Sequence, residues 1–300
     1  MRNTNEKRNN DNFIMLPTVD FCFKELMKNS KVRKGFIAAL LRKDPSLIRK
    51  TTLIPTELRK ESEDDKLGIL DVLIEMADGT KMNMEMQVAY FEYWINRVLY
   101  YISKVYSGQI KTGDSYDILK PCIHVSILDF IHFPHDTKCC RKIAFCDVET
   151  GKQYTNLMEI YILELKKLPG EDQNEAGIIR WMRFLGGKSR KEFEDMAKKD
   201  EYIEEAYNEL KRLSLDEQKR MEYELRQKAV RDYNTQIKSA EKRGEKRGIE
   251  TGRHEALKQV IGHMLDDGKS ENEISGLIGC EPDEVIRLAE EWRKENNIIS

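Results

Sequence analysis

The chain has 300 residues, 35% charged and 40% hydrophobic, and a net charge of −2. That length supports a sizeable core and roughly one or two domains. No apolar run approaches the roughly 18–20 residues needed to cross a bilayer, and "MRNTNEKRNNDN" has no apolar segment behind it, so a soluble cytoplasmic protein with no membrane partner is expected. The near-neutral balance gives no global attraction for nucleic acid, so any DNA binding must rest on local basic patches. Six cysteines without CxxC spacing are expected to stay reduced rather than form a disulfide framework.

Residues 1–15 read as a frayed tail. Two helices follow, one over about Asp20–Met27 and a second capped by Ser30 that carries Phe36, Ile37, Leu40 and Leu41. "TTLIPTEL" is a short extended piece and "RKESEDDK" a charged loop. Two alternating runs about "DGT" then make a hairpin from Ile69 to Gln87. Next comes a long amphipathic helix with Trp94, Val98, Tyr101, Ile102 and Val105 at helical spacing, left at Gly108 and Gly113. "LKPCIHVSILDFIHF" alternates Cys122, His124 and Ser126 with Ile123, Val125 and Ile127, which reads as a strand opened by Pro121. "RKIAFCDV" and "NLMEIYILEL" form a second hairpin, so the order is that of a mixed α/β domain. From Pro169 the pattern is helical, with capping boxes at Ser214–Glu217 and Ser270–Glu273 and a break at Gly268. A domain boundary is expected near Gly170.

The first hairpin raises the question of a site. On its second strand Met82, Met84, Met86 and Val88 take one side, and Asn83, Glu85 and Gln87 the other. A two-residue Asp78-Gly79 turn would set Asp71 against Met86 and put Asp71 and Glu85 on opposite faces. A three-residue Asp78-Gly79-Thr80 loop would pair Ala77 with Lys81 and Asp71 with Gln87, leaving Asp71 and Glu85 diagonal, roughly 7–8 Å apart at Cα. Both carboxylates could then reach one hard cation such as magnesium, which takes oxygen ligands and activates water for phosphodiester hydrolysis. Gln87, neutral and facing the same way, could orient that water. The alternative is an ordinary half-exposed hairpin with a polar outer side.

The acidic residue on one strand and Glu85-Met86-Gln87 on the next resemble the PD-(D/E)XK nuclease fold, in its Gln variant. In order, "DFCFKELM", "LDVLIEMADGTKMNMEMQ", "RVLYYISKVYSGQIKTGDSYDILKPCIHVSILDF" and "NLMEIYILELKKL" resemble the Rpn family of recombination-promoting nucleases and transposases. The likeness is best over Pro17–Leu168, and "EKRGEKRGIETG" and "MLDDGKSENEISGLIG" are similar to that family's C-terminal segments. It implies a restriction-endonuclease-like α/β core with a mixed sheet, followed by an all-helical region. It also implies a magnesium- or manganese-dependent DNA endonuclease tied to recombination and mobile elements. By position, Asp71 and Glu85 would be metal ligands, the Met86 carbonyl a third, and Gln87 the replacement for the usual lysine. Asp20 and Lys24 match the family's N-terminal signature, and Asp20 and Glu25 are both candidates for an acid that completes the site from the first helix.

Arg97 and Tyr101, four apart on one helix face, could touch DNA phosphate, or Arg97 could lie over an aromatic-rich helix. His132, His135, Cys139, Cys140 and Cys146 are capable zinc ligands, but adjacent cysteines point apart on a strand and the spacing is not that of a zinc site. Residues 226–253 carry nine Lys/Arg against four Asp/Glu, with Gly244, Gly248 and Gly252 on one stripe. They suit self-association as a homo-oligomer, nonspecific phosphate binding or a solvated connector. The expected layout is a tail over 1–15, a nuclease-like domain over 16–169, a helical region over 170–255 and a three-helix unit over 256–300. That last unit resembles a helix-turn-helix, but its presumed reading helix opens with acids, which favours a protein contact. The competing reading of the whole chain is a catalytically silent DNA- or protein-binding module, motivated by Gln87 and the near-neutral charge.

Overall fold

The computed structural model describes residues 13–57, 70–172 and 175–296. The expected charged loop, Ile69 and the first twelve residues of the expected tail lie outside the described residues. Six strands form one mixed sheet: β1 (Thr51–Leu53), β2 (Val72–Met76), β3 (Lys81–Gln87), β4 (Cys122–Leu128), β5 (Cys140–Ala144) and β6 (Met158–Glu164). Their order is β1-β2-β3-β4-β6-β5. β3, β4 and β6 run parallel and the outer pairings are antiparallel. Parallel strands are normally covered on both faces, and every residue of β4 is buried.

Period-two alternation decides which layer each side chain joins. Val72, Ile74, Met82, Met84, Met86, Ile123, Val125 and Ile127 enter the larger core. Around it lie α1 (Asp20–Lys28), α2 (Ser30–Leu41), α4 (Gly177–Gly186), α5 (Arg190–Ala197) and α6 (Glu201–Leu215). On the other face Leu73, Cys122, Leu128, Ile160 and Ile162 meet α3 (Trp94–Ser107) through Trp94, Val98, Ile102 and Val105. The expected mixed α/β domain with a helical C-terminal region is therefore what the chain forms.

The chain divides into two compact units, residues 1–229 and 230–300. The boundary expected near Gly170 does not separate two cores, because Trp181, Phe184, Phe193, Ile203 and Leu210 share the first core with Phe23 and Phe36. The described end of the expected tail is packed: Met15 is fully buried and its N–H donates to Ser214 Oγ. Two caps also move by a residue or two. Asn29, not Ser30, accepts the first N–H groups of α2. Asp216 accepts from Lys219 at the start of α7 (Glu217–Asp266), while Ser214 remains inside α6.

In the second unit Ile261, Ile274, Val285, Leu288 and Ala289 form a small core. It joins the end of α7 to α8 (Glu271–Ile278) and α9 (Pro282–Glu295). The capping box at Ser270 and Glu273 is formed. Among the described residues no helix is long and apolar enough to cross a membrane.

Candidate active site

The β2–β3 register differs from both sequence alternatives. Val72 pairs with Met84, Leu73 with Asn83, Ile74 with Met82 and Glu75 with Lys81. The three-residue loop is Ala77-Asp78-Gly79, closed by hydrogen bonds from Gly79 N–H to Met76 O and from Met76 N–H to Thr80 O. Gly79 has a φ of 83°. In a three-residue loop with a G1 bulge the left-handed residue comes last. Gly79 therefore fixes the loop one residue earlier than Asp78-Gly79-Thr80, and the register shifts by two. Parity survives such a shift. Continued one residue past its last pair, this register would set Asp71 opposite Glu85 rather than Gln87; Asp71 itself precedes β2, and its carboxylate reaches the Met86 N–H.

Neither carboxylate is on a solvated outer face. The Glu85 side chain is 4% exposed and that of Asp71 17%. Beyond the last β2 pair, the Met86 N–H donates to Asp71 Oδ2 at 3.2 Å. From α1, Lys24 Nζ reaches Asp71 Oδ1 at 2.9 Å and Asp20 at 3.6 Å. From α3, Arg97 approaches Glu85 Oε2 at 4.0 Å. Glu85 Oε1 accepts from Asn83 Nδ2 at 3.1 Å.

Burial raises the Asp71 carboxyl above its ordinary range, and the Lys24 ammonium and Met86 N–H oppose that shift without cancelling it. Glu85 is pushed up to about 7 by burial. The Asn83 hydrogen bond pulls it down, the Asp71 charge pushes it up again, and Arg97 and Lys24 oppose. Tyr101, half-buried on α3, is raised by burial and next by the charge of Glu85.

The sequence candidates thus separate. Asp20, Lys24, Asp71, Glu85 and Arg97 are linked through charge contacts, and Tyr101 lies within their field. Gln87 follows at the half-buried end of β3, where its carbonyl accepts from Asp129 N–H. Glu25 is not brought to this group. One residue on from Lys24, it is turned about 100° around the helix and pairs with Lys28 and Lys219 instead. Arg97 is directed at Glu85, with its guanidinium also 5.8 Å from the Phe91 ring.

The donor chemistry fits a hard divalent cation. Asp71 and Glu85 offer oxygen only, and burial raises the proton affinity of both carboxylates despite the cations Lys24 and Arg97 beside them. Among the described residues no three His, Cys, Asp or Glu side chains gather as a metal-binding group. Further ligands would have to be backbone oxygen or water. The same holds against zinc: His132 packs edge-to-face against Trp94 and Phe133, and Cys146 is exposed.

Sequence reasoning missed Asn83, His124 and Ser126, all buried on the α3 side next to Glu85. The available signal was a polar pair at alternate positions of each of two neighbouring parallel strands, Asn83 and Glu85 on β3 and His124 and Ser126 on β4, where a face covered by a helix ordinarily takes apolar residues.

Compared with known proteins, residues 17–240 match the family model described as PD-(D/E)XK nuclease family transposase. No curated protein and no solved structure gives a significant match.

Proposed function

The chain belongs to the PD-(D/E)XK nuclease family transposases, and from that membership we propose that it is a metal-dependent DNA endonuclease centred on Asp71 and Glu85. The observation that carries this reading is the proximity of two largely buried carboxylates, Glu85 on β3 and Asp71, whose Oδ2 accepts from the N–H of the next β3 residue, Met86. Asp71, Glu85 and the Met86 carbonyl would hold magnesium or manganese, which when bound supplies an acidic water and positive charge for the phosphate.

The chain's own groups complete the chemistry. Gln87 is the neutral amide of the triplet, able to orient a nucleophile but not to carry charge. Lys24 brings the ammonium that Gln87 lacks, 2.9 Å from Asp71, and can stabilise negative charge developing on the scissile phosphate. Arg97 offsets the Glu85 charge, and Tyr101 adds a hydroxyl donor for a phosphate oxygen. Asp20 holds Lys24 from the same helix turn.

DNA is the proposed partner, a role in recombination or transposition is proposed from the family likeness, and the cytoplasm is the proposed location. A second copy of the chain is the other proposed partner. Gly244, Gly248 and Gly252 have nothing within 4 Å of an added Cβ, which leaves room for close helix approach.

One observation favours the silent binding module. Both Asp71 oxygens already have protein partners, Lys24 and the Met86 N–H. Supercoiled-plasmid nicking with magnesium or manganese, for wild type, Asp71→Ala and Glu85→Ala, separates the readings. Metal-dependent nicking lost in both variants is expected. Nicking that survives both overturns this centre, and DNA binding without cleavage in either metal favours the module.

A further inference from the structure

Behind Glu85 lies a polar chain that the proposed chemistry does not use. Parallel pairing of β3 with β4 sets Asn83 beside His124 and Glu85 beside Ser126. Asn83 is 2% exposed, and His124 and Ser126 are fully buried. Asn83 Nδ2 lies 3.1 Å from Glu85 Oε1 and 3.0 Å from His124 Nδ1, and His124 Nε2 lies 2.8 Å from Ser126 Oγ.

The chemistry of these groups fixes the protons. A carboxamide nitrogen has two hydrogens and no acceptor capacity. One hydrogen goes to Glu85, and the other requires a lone pair on His124 Nδ1. The imidazole proton must then sit on Nε2, where it donates to Ser126 Oγ. Turning the amide over would place its oxygen against the Glu85 carboxylate whenever Glu85 is ionised, as it must be to hold a cation. Burial, followed by the charge of Arg97, holds His124 neutral by pushing its pKa down to about 3. Packing alone does not ask for this arrangement: the opposite face of the same strands is filled by Met82, Met84 and Val125. Polar groups placed here are costly to bury unless partnered; both Asn83 Nδ2 hydrogens, both His124 nitrogens and Ser126 Oγ have partners, while Asn83 Oδ1 is buried without one.

We propose that His124, as the neutral Nε2–H tautomer, is a positioning residue that locks the Asn83 amide as a donor to Glu85 Oε1. Among the described residues Oε2 receives no hydrogen bond and has only the Arg97 guanidinium, 4.0 Å away, as an ionic neighbour, so the lock leaves that oxygen to face a cation. This deepens the proposed metal-binding reading of Asp71 and Glu85 and rests on it. His124 touches neither substrate nor metal. It acts through Asn83, much as outer partners orient the carboxylates of metal sites.

The test combines imidazole 1H–15N spectra of the full-length protein with calorimetric titration of Mn2+ alone. His124→Gln removes the His124 signals and so assigns them. Wild type should show the proton on Nε2. His124→Leu should bind Mn2+ about 10–100-fold more weakly, whereas His124→Gln, whose amide both accepts and donates, should recover to within about threefold. A proton on Nδ1 overturns the proposal, and this result needs no variant to fold. It is equally overturned if folded His124→Leu, with an unchanged Tm, binds Mn2+ like wild type, or if both variants lose binding equally. No Mn2+ binding by wild type itself would overturn the metal reading of Asp71 and Glu85, and the His124 proposal with it.

Discussion

The two faces of β3 share one backbone and one depth of burial and differ in chemistry. Met82, Met84 and Met86 fill the larger core. Asn83, Glu85 and Gln87 turn toward α3, where Asn83 and Glu85 are buried as deeply as the methionines. Equal burial has opposite consequences. Burying thioether chains is favourable in proportion to area. Burying an amide and a carboxylate costs free energy unless each is paired. One face stabilises the sheet, and the other holds Glu85 in a form whose proton affinity is raised.

The contrast is sharpest in paired substitutions. Glu85→Ala or Asp71→Ala should lower metal-dependent nicking at least about 100-fold, with the fold retained by circular dichroism. Met84→Ala, one residue away on the other face, should cost about 2–5 kcal/mol in chemical denaturation while nicking persists at permissive temperature. A stable Met84→Ala variant that has lost nicking would erase the distinction between the faces.

The acidity of Glu85 gives the next effect. Its folded-state pKa, about 7, lies above the ordinary 4.5. Its contribution to metal-free stability is therefore fully present below about pH 4.5 and lost as pH rises through about 7. A shift of this size corresponds to on the order of 3 kcal/mol. Denaturation of metal-free wild type between pH 5 and 8 should show that decline, and Glu85→Gln should flatten it. An identical slope in both proteins would place the titration elsewhere. Metal binding, which displaces the proton, should strengthen over the same range. Glu25→Gln should have the smallest effect, within about 1 kcal/mol and without change in nicking, because its partners are Lys28 and Lys219.

What the sequence revealed follows the range of the forces involved. Alternation is local, so the nearness of Asp71 and Glu85 was legible despite a two-residue error in register. The error came from placing Gly79 in the middle of its loop, where its left-handed φ requires the last position. The stripe of Trp94, Val98, Ile102 and Val105 identifies a helix but not the sheet face it covers, so the hairpin's polar side could equally be read as solvated. Glu25 was a reasonable candidate until Lys219, 194 residues away, took its carboxylate. In the same way Trp181 and Phe184 mark an amphipathic helix, while the core they join is set by packing.

Crystals of the full chain soaked in Mn2+ would test the centre most directly, through the anomalous signal of the ion. The expected result is one strong peak within bonding distance of both Asp71 and Glu85, with the Lys24 ammonium displaced from Asp71 Oδ1. Lys24 still bound to Asp71, with manganese absent from the pair or located elsewhere, would contradict a metal-dependent nuclease centred on these two carboxylates.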